Sequence, residues 1–574
     1  MGQRQRHVLR NEKGVVLVIA LFVLVILLIL SAAFLFQVVQ ESLMARHERE
    51  LAKSFYIAEG GMNSALTTLN TLINTDLYNS ISTTNPQLVS TRASSYVTAH
   101  DGLGFLIEFA EDNNIAQFTL SGTEARHTVS NTALGSGSFD FNIIITEKSD
   151  PVVVTVDQWD FPYNYRIEST GRSSGLPKKI LLSGDFTVRI QRDNFAKYAL
   201  YTDHHTTPSG GTVWFTDKTN FSGPVHTNDR LSFARNPSGV FDGVVTQHVS
   251  TARFYNQGSP ILIDADYNGT YDVPTFNAGY TRSVSTVTLA SSVQQQDVSN
   301  QATGGQTLTG NGIFIPTSGS NLAGGIFIRG DANVTMAVDG SENAAYTLTQ
   351  GSTTKNVTVN RTTNQTIVTE VGQPTLTYNG LPDGVDNLGT IIYVDGAINA
   401  LSGTVQRDTE ITISSQNDII INNNVTYQDS TAAVGTPGTA GYVPPNATDT
   451  TNLLGILSWG GNVRVGTTAP NNITIDGIVM ARNGIFTVDS YSNAALGVRG
   501  TATMLGGAIT QFYGGFGTFS GTTGLQLSGY GRNFVYDGRT LLGNSPPYFP
   551  SLNTFIAFTN DITDKLIWQE GDNQ

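Results

Sequence analysis

A long apolar run near the start of the chain is its clearest pattern. Residues 15–36 contain no charged side chain, and a run of this length can cross a hydrocarbon core about 30 Å thick. Arg4, Arg6, Arg10 and Lys13 precede it, so the positive-inside rule predicts a cytoplasmic N-terminus and an exported remainder. The alternative is a cleaved secretory signal, but its apolar core would be shorter, about 7–15 residues. We therefore predict a retained, single-pass anchor in the inner membrane.

The helical period continues beyond the apolar run. Residues 37–77 contain no proline, and their apolar positions recur mostly at spacings of three and four. These positions are Leu43, Leu51, Phe55, Ala58, Met62, Leu66, Leu69 and Ile73. The pattern predicts one helix over 15–80, with its transmembrane segment at 15–36. The later stripe should pack on the domain that follows.

Strand-like patterns replace the helical period after residue 81. They lie at 139–146, 152–156, 163–169 and 179–191, the last with a break at Gly184-Asp185 that makes it either one long strand or a hairpin. We predict a small antiparallel sheet packed on the second half of the helix. Together with that half, residues 81–192 would form an α/β head.

From residue 193 onward nearly every signal is that of a strand. Short motifs of the form polar–Ile–x–Ile–polar occur at 410–414, 418–422 and 472–476, each followed closely by Asn, Ser or Gly. Such rungs favour a β-solenoid, and their irregular period leaves a β-sandwich as the alternative. We predict a β-rich domain at 193–388 and a solenoid-like domain at 389–574. The fold class is therefore α+β followed by all-β.

Composition narrows the function classes. The chain has no cysteine, which excludes disulfides, a thiol nucleophile and thiolate metal sites. Its net charge is −14 although the first residues are basic. The exported part is therefore strongly acidic, and we expect no nucleic-acid partner because phosphate binding needs Lys and Arg.

Two motifs flank the apolar run and carry a family resemblance. Glu12-Lys13-Gly14 before it and the sequence AEGGM at 58–62 after it resemble the PilX-type N-terminus of minor type IV pilins and pseudopilins. The resemblance implies that a prepilin peptidase cuts between Gly14 and Val15 and removes a basic leader, residues 1–14. It also implies that the apolar helix then packs with other pilins in a filament. The mature chain would begin with Val15 rather than Phe and carry Ile19 where major pilins carry Glu, which fits a minor subunit.

Further patches resemble parts of this group of proteins. The sequence YRIESTGR at 165–172 is similar to the sheet signature of pilin heads. Segments 221–228 and 241–246 resemble a β-rich domain of unknown function that is often fused to PilX-type N-termini. Segments 536–539 and 546–550 resemble the end of that domain. The resemblance brings no enzymatic activity with it.

One loop has the spacing of a cation site. The sequence DADYNGTYD offers oxygen ligands at alternate positions and a glycine for the turn, which match the first part of a calcium loop. The candidate Ca²⁺ ligands are Asp264, Asp266, Asn268, Thr270 and Asp272. Position twelve is Thr275 rather than Glu, and an Asx-rich hairpin turn is the alternative.

Two other groups of residues are candidate sites. Asp203, His204, His205 and His226 have the side chains of a zinc site, but adjacent histidines in a strand face opposite sides, which favours ordinary loop histidines. The glycine runs at 506–507 and 514–517 lack a following Gly-Lys-Ser/Thr, so we predict tight turns rather than phosphate loops.

The leading hypothesis is a structural protein: a minor pilin or pseudopilin that takes part in type IV pilus assembly. Its expected partners are the inner membrane, other pilins and the prepilin peptidase, and its final place is the pilus or cell surface, with adhesion at the tip. The alternative is a membrane-anchored β-solenoid adhesin or glycan-binding protein. A carbohydrate-active enzyme ranks below both, and we expect no catalytic site.

Overall fold

A single long helix and a large body of β structure make up the protein. The computed structural model describes residues 12–74, 102–112, 114–155, 158–216, 219–234, 239–256, 259–263, 273–435, 437, 439–520, 525–559 and 567–570. The helices are α1 (Glu12–Asn74), α2 (Gly102–Asp112) and α3 (Ser292–Thr303), with short 3₁₀ turns at Phe195–Lys197, Ala494–Leu496 and Gly538–Leu542.

Helix α1 is divided into an exposed half and a packed half. At 1.5 Å per residue its length is about 95 Å. Residues 14–49 are all exposed, and the packing against the rest of the protein begins near Glu50. Among the described residues, α1 is the one helix long and apolar enough to cross a membrane.

The first sheet packs against the second half of α1. Its strands are β1 (Thr119–Ser121), β2 (Glu124–Leu134), β3 (Gly137–Glu147), β4 (Val152–Thr155), β5 (Gln158–Ser173) and β6 (Leu176–Asn194). All of their pairings are antiparallel. The predicted stripe of α1 faces this sheet, with Ala58, Met62 and Leu69 fully buried in one apolar cluster with Ile143 and Ile167.

The large β-rich region follows. Its strands are β7 (Leu200–His204), β8 (Val225–Thr227), β9 (Ser232–Phe233), β10 (Val240–Phe241), β11 (Val245–Gln247), β12 (Ala252–Asn256), β13 (Ser259–Ile263), β14 (Thr275–Phe276), β15 (Tyr280–Thr281), β16 (Gly312–Phe314), β17 (Thr317–Ser318), β18 (Asn321–Leu322), β19 (Ile326–Arg329), β20 (Ala332–Val338), β21 (Ala344–Gln350), β22 (Thr353–Asn360), β23 (Gln365–Glu370), β24 (Leu376–Asn379), β25 (Thr390–Asp395), β26 (Ile398–Val405), β27 (Glu410–Ser415), β28 (Ile419–Tyr427), β29 (Leu453–Ser458), β30 (Val463–Val465), β31 (Thr474–Ala481), β32 (Phe486–Val488), β33 (Val498–Phe512), β34 (Gly517–Phe519) and β35 (Gln526–Val535).

Two ladders of this region consist of parallel pairs, most of them between every second strand of the chain. One ladder runs β19–β25–β27–β29–β31–β33, and a second runs β20–β26–β28–β30–β32. In the first ladder Ile413 lies opposite Ile456, which lies opposite Val479. The side chains of these three residues belong to one apolar core.

The first strand of the region, β7, does not lie at the start of the first ladder. Strand β7 pairs in parallel with β33, and the ladder continues from β7 through β8 and β11 to β15. A single apolar cluster accordingly includes residues from Ala199 to Tyr536. The expected division at residue 389 therefore does not coincide with a break in the core.

An antiparallel insertion separates two neighbours of the ladder. Strands β20 to β24 form an antiparallel meander between β19 and β25, which pair directly with Ile326 opposite Ile392. The inner face of the meander carries Leu348, Val357 and Val368, which extend the same core.

The chain then returns to the first sheet. Strands β36 (Ser551–Thr559) and β37 (Ile567–Glu570) both pair antiparallel with β6. They cover the edge of the 19-residue β6, which would otherwise expose unpaired backbone groups. Strands β36 and β37, expected in the solenoid-like domain, thus complete the first sheet.

The expected turn at 506–507 is wrong. Both glycines lie inside β33, where Gly506 is opposite Gly477 of β31. A side chain at Gly506 would overlap the backbone of Gly477, so glycine permits close backbone approach here rather than a turn.

Candidate functional site: the exposed helix and its junction with the first sheet

The exposed half of α1 presents a continuous apolar surface. Residues Val15 to Leu30 include fifteen large apolar side chains that are between 45% and 71% exposed. Exposed apolar surface of this extent marks a membrane or protein contact. Nothing in the described part of the chain covers it.

The proposed processing site lies within this exposed half. Gly14 and Val15 are in the first turns of α1, and Val15 is 56% exposed. Among the described residues, no atom beyond the neighbouring backbone of α1 lies within 4 Å of the position that a Cβ on Gly14 would take.

The junction between α1 and the sheet depends on small residues. Gly171 of β5 faces α1, and a Cβ there would overlap the Ser54 carbonyl oxygen and the Ala58 amide nitrogen. On the helix, a Cβ on Gly61 would overlap the hydroxyl of Ser169. Helix and sheet backbones therefore approach more closely than larger side chains would allow.

Hydrogen bonds across the junction reinforce this packing. The buried Ser54 hydroxyl donates to the Leu176 carbonyl at 2.7 Å and accepts from the Ser173 amide at 2.9 Å. The buried Ser169 hydroxyl donates to the Ala58 carbonyl at 2.7 Å. These hydrogen bonds join the helix to the sheet and fix the position of α1 along the direction of β5.

Glu50 closes the junction at the point where α1 becomes exposed. Its carboxylate accepts from Lys53 Nζ at 2.8 Å, Ser173 Oγ at 2.6 Å and Ser174 Oγ at 3.0 Å. These three donors, with Lys53 the strongest, lower the pKa of Glu50 to about 2. The carboxylate therefore stays ionised at neutral pH and ties α1 to the turn between β5 and β6.

The candidate histidine site is not assembled. His204 is exposed and stacks on Phe512 with ring centroids 4.8 Å apart, whereas His205 is buried against Phe215 and Tyr513. The described residues contain no group of three or more His, Asp or Glu side chains that could hold a metal ion. The two adjacent histidines have different surroundings, and His205 lies just beyond the end of β7 at His204.

His226 instead belongs to a hydrogen-bonded cluster around Asn228. Its Nε2 bonds Asn228 Oδ1 at 3.0 Å and its Nδ1 bonds Thr246 Oγ1 at 2.8 Å. The Asn228 amide nitrogen donates to Tyr201 OH at 2.9 Å and Asp203 Oδ1 at 2.8 Å. Burial lowers the pKa of His226. Its Nδ1 contact joins β8 to Thr246 of β11, whereas Asn228 joins the chain after β8 to Tyr201 and Asp203 of β7.

The proposed calcium loop lies outside the described residues. Its five ligands, Asp264, Asp266, Asn268, Thr270 and Asp272, fall between β13 and β14. Calcium binding stays a prediction from the sequence.

A family model matches the middle of this architecture. Residues 160–249 match a model described as a domain of unknown function, DUF4900. No curated protein and no solved structure matches the chain.

The DUF4900 match joins the two halves of the protein. It begins at Asp160 in β5 and continues past β11, so it contains Ser169 and Gly171 of the junction as well as His226 and Asn228. The matched stretch thus spans the passage from the first sheet into the parallel ladder. This passage crosses the boundary that the sequence predicted at 192.

Sequence reasoning missed the polar residues of the junction. Ser54 is fully buried and Glu50 is half-buried on a helix face where only apolar residues were expected. A signal was present in the sequence STGRSS at 169–174, where small residues alternate along a strand. Alternating small residues indicate a sheet face that another backbone approaches closely.

Proposed function

We propose that this protein is a minor pilin or pseudopilin that takes part in the assembly of a type IV pilus or related filament. The observation that carries the proposal is the division of α1: residues 14–49 are exposed, and the following residues pack on an antiparallel sheet. A helix of this kind has to hold its apolar half in lipid or among other helices. Both environments are used in turn by a subunit that leaves the membrane to enter a filament.

The proposal includes an orientation and a place. The basic residues before Val15 keep the N-terminus cytoplasmic, and the acidic body lies outside the inner membrane. The size of the β-rich region supports a position at the filament tip, because a repeated subunit of 574 residues would crowd a shaft.

We propose further that the β-rich region is a β-solenoid rather than a sandwich. Two ladders of parallel strands, β19 to β33 and β20 to β32, alternate along the chain. In a sandwich the neighbouring strands would be mostly antiparallel. A body of this form would be displayed as a rigid unit beyond the filament.

Labelling of isolated filaments tests the assembly step. An antibody to the β-rich region should mark the ends of sheared, purified filaments in immunogold micrographs. The processing-blocked variant Gly14→Val is the matched control and should leave the filaments unmarked. Labelling along whole filaments would overturn the tip position, and absence of the protein from filaments would favour the permanently anchored adhesin.

Calcium binding is proposed for the loop 264–272. A cation held by this loop would stabilise the folded state by mass action. Addition of Ca²⁺ should raise the unfolding temperature of the purified protein, and Asp264→Ala together with Asp266→Ala should abolish the rise. An unchanged unfolding temperature in millimolar Ca²⁺ would remove the proposal.

A further inference from the structure

The outer face of the antiparallel meander carries no charge. The outward positions of β20 to β23 alternate with the buried apolar ones and hold only Thr, Asn, Gln, Ala and Ile. Thr335, Thr347, Asn356 and Thr369 lie directly opposite one another on four neighbouring strands. They form a straight row across the meander.

The row continues onto the parallel strands. Thr335 is opposite Ser402 of β26. The register between β26 and β28 shifts between Leu401 and Gly403, and on β28 the Asn424 Oδ1 accepts from the Thr474 amide of β31 at 3.0 Å. Thr474 is opposite Thr503 of β33. At a strand spacing of about 4.8 Å, the row is roughly 34 Å long. We call these eight positions the neutral row.

The charge of the surroundings makes this face distinctive. The two charged residues of the meander strands, Lys355 and Glu370, alternate out of phase with the neutral row and pair with each other at 3.5 Å. The whole chain carries a net charge of −14. A charged ligand on the neutral row would lose hydration without gaining a counter-charge, which is costly. The face therefore suits a neutral partner.

The side chains of this face are suited to hydroxyl groups. Threonine hydroxyls and asparagine amides both donate and accept hydrogen bonds. Thr347 Oγ1 donates to Asn356 Oδ1 at 2.9 Å, and the neighbouring hydroxyls of Thr349 and Thr354 are 3.2 Å apart. Such bonds, with the limited χ1 freedom of threonine, fix the side chains before a ligand arrives and reduce the entropy lost on binding.

The shape of the face indicates a polymer. Thr335, Thr347 and Asn356 are exposed on an open sheet, whereas small molecules bind in concave sites that bury most of their surface. A hydrogen bond to one exposed side chain is weak, but many such bonds along one ligand together give a measurable affinity. A row roughly 34 Å long provides that repetition.

We propose that the neutral row binds an extended neutral polysaccharide through hydrogen bonds to its hydroxyl groups. The inference deepens the proposed function, because it gives the β-rich region a ligand. It rests on that function only in assuming that the β-rich region lies outside the cell. Binding by the purified protein needs neither processing nor assembly. A failure of either proposal can therefore be recognised separately.

Affinity electrophoresis of the full chain in nanodiscs tests the proposal. The probes are hydroxyethyl cellulose and dextran as neutral polymers and alginate as an acidic one. At least one neutral polymer should retard the protein, and alginate should not. Lack of retardation by both neutral polymers, or equal retardation by alginate, would overturn the proposal.

Two matched triple variants show which atoms bind. T335V/T347V/T369V removes three hydroxyls and keeps the β-branched shape, so affinity should fall roughly tenfold or more. T335S/T347S/T369S keeps the hydroxyls and should retain most of the affinity, while circular dichroism checks that both variants fold. If the Val variant binds as well as the parent, the hydroxyls do not carry the binding and the proposal is wrong, whatever the Ser variant does.

Discussion

At the scale of single residues, buried or bridging carboxylates set how stability responds to pH. Glu50 bridges α1 and the turn after β5, and its pKa is lowered from 4.5 to about 2 by hydrogen bonds from Lys53, Ser173 and Ser174. Because the folded pKa is the lower one, this stabilisation is fully present above pH 4.5 and is lost as the pH falls towards about 2. The group therefore strengthens the junction throughout the neutral range.

The first prediction concerns Glu50→Gln. The variant should lower the unfolding temperature of the full chain at pH 7, and the difference from the parent should shrink as the pH falls from 4.5 to about 2. Thermal unfolding followed by circular dichroism in detergent measures both effects. Glu48→Gln, on an exposed position of the same helix, is the control and should behave as the parent. A difference independent of pH would show that the charge has no role.

The carboxyl group of Asp476 changes the stability with pH in the opposite direction to that of Glu50. Burial is the main cause that raises its pKa from 3.8 to about 6, although the Tyr427 amide and Ser430 hydroxyl donate to its Oδ2 at 3.0 Å. Its Oδ1 has no hydrogen-bond partner among the residues that the structure describes. Because the folded pKa is the higher one, the folded state loses stability as the pH rises from about 4 to 6.

The second prediction is that Asp476→Asn stabilises the protein above pH 6. Asparagine keeps an acceptor for Tyr427 and Ser430 and has no charge to bury, so the gain should reach at most about 3 kcal/mol at pH 8. Below pH 4 the gain should vanish. Urea unfolding at pH 4 and pH 8 measures the two values, and a loss of stability at pH 8 would contradict the account.

At the scale of elements, close backbone approach fixes how α1 sits on the first sheet. A Cβ on Gly171 would overlap backbone atoms of Ser54 and Ala58, and backbone atoms cannot rotate away as a flexible side chain can. The third prediction is that Gly171→Ala destabilises the junction by about 1–3 kcal/mol, typical of overpacking.

A matched glycine serves as the control for this prediction. A Cβ on Gly340 would meet no atom within 4 Å, so Gly340→Ala should leave stability unchanged. Denaturant unfolding of both variants gives the comparison. Equal effects of the two substitutions would show that the close approach at Gly171 does not matter.

The helices and strands that could be predicted from the sequence are those whose pattern lies in neighbouring residues. The helical stripe ending at Ile73 and the motif at 410–414, which became β27, were both readable because side-chain period follows local geometry. Of the two possibilities at Gly184, one long strand or a hairpin, the structure has the long strand: β6 runs from Leu176 to Asn194.

Other features were not readable because they depend on distant partners. The pairing of β7 with β33 and the return of β36 to β6 join segments more than 300 residues apart. Parallel ladders are held by backbone hydrogen bonds, which leave no side-chain signature of which strand is the neighbour. The polar contacts of Glu50 were missed for the same reason, because their donors lie in another element.

At the scale of the whole molecule, the β-rich region should unfold as one unit. The pairing of β7 with β33 brings the start and the end of the region into one apolar core. A Cβ on Gly507 would overlap the Tyr198 carbonyl oxygen beside this pairing. The fourth prediction is that Gly507→Ala separates β7 from β33 and speeds amide exchange in both strands together.

Hydrogen exchange followed by mass spectrometry measures this coupling. Gly531→Ala is the control, because its Cβ would have an ordinary contact distance of 3.5 Å, and it should leave exchange unchanged. Faster exchange confined to residues 200–204, with β33 still protected, would show that the region consists of independent parts.

The central claim is that α1 begins as a membrane anchor and is processed for assembly. The most direct test is intact-mass and N-terminal analysis of the membrane-extracted protein from cells with and without prepilin peptidase. The account predicts a chain that begins at Val15 only when the peptidase is present, and a chain that begins at Met1 when it is absent or when the variant is Gly14→Val. A chain that begins at Met1 in both strains would contradict the account and make the protein a permanently anchored surface protein.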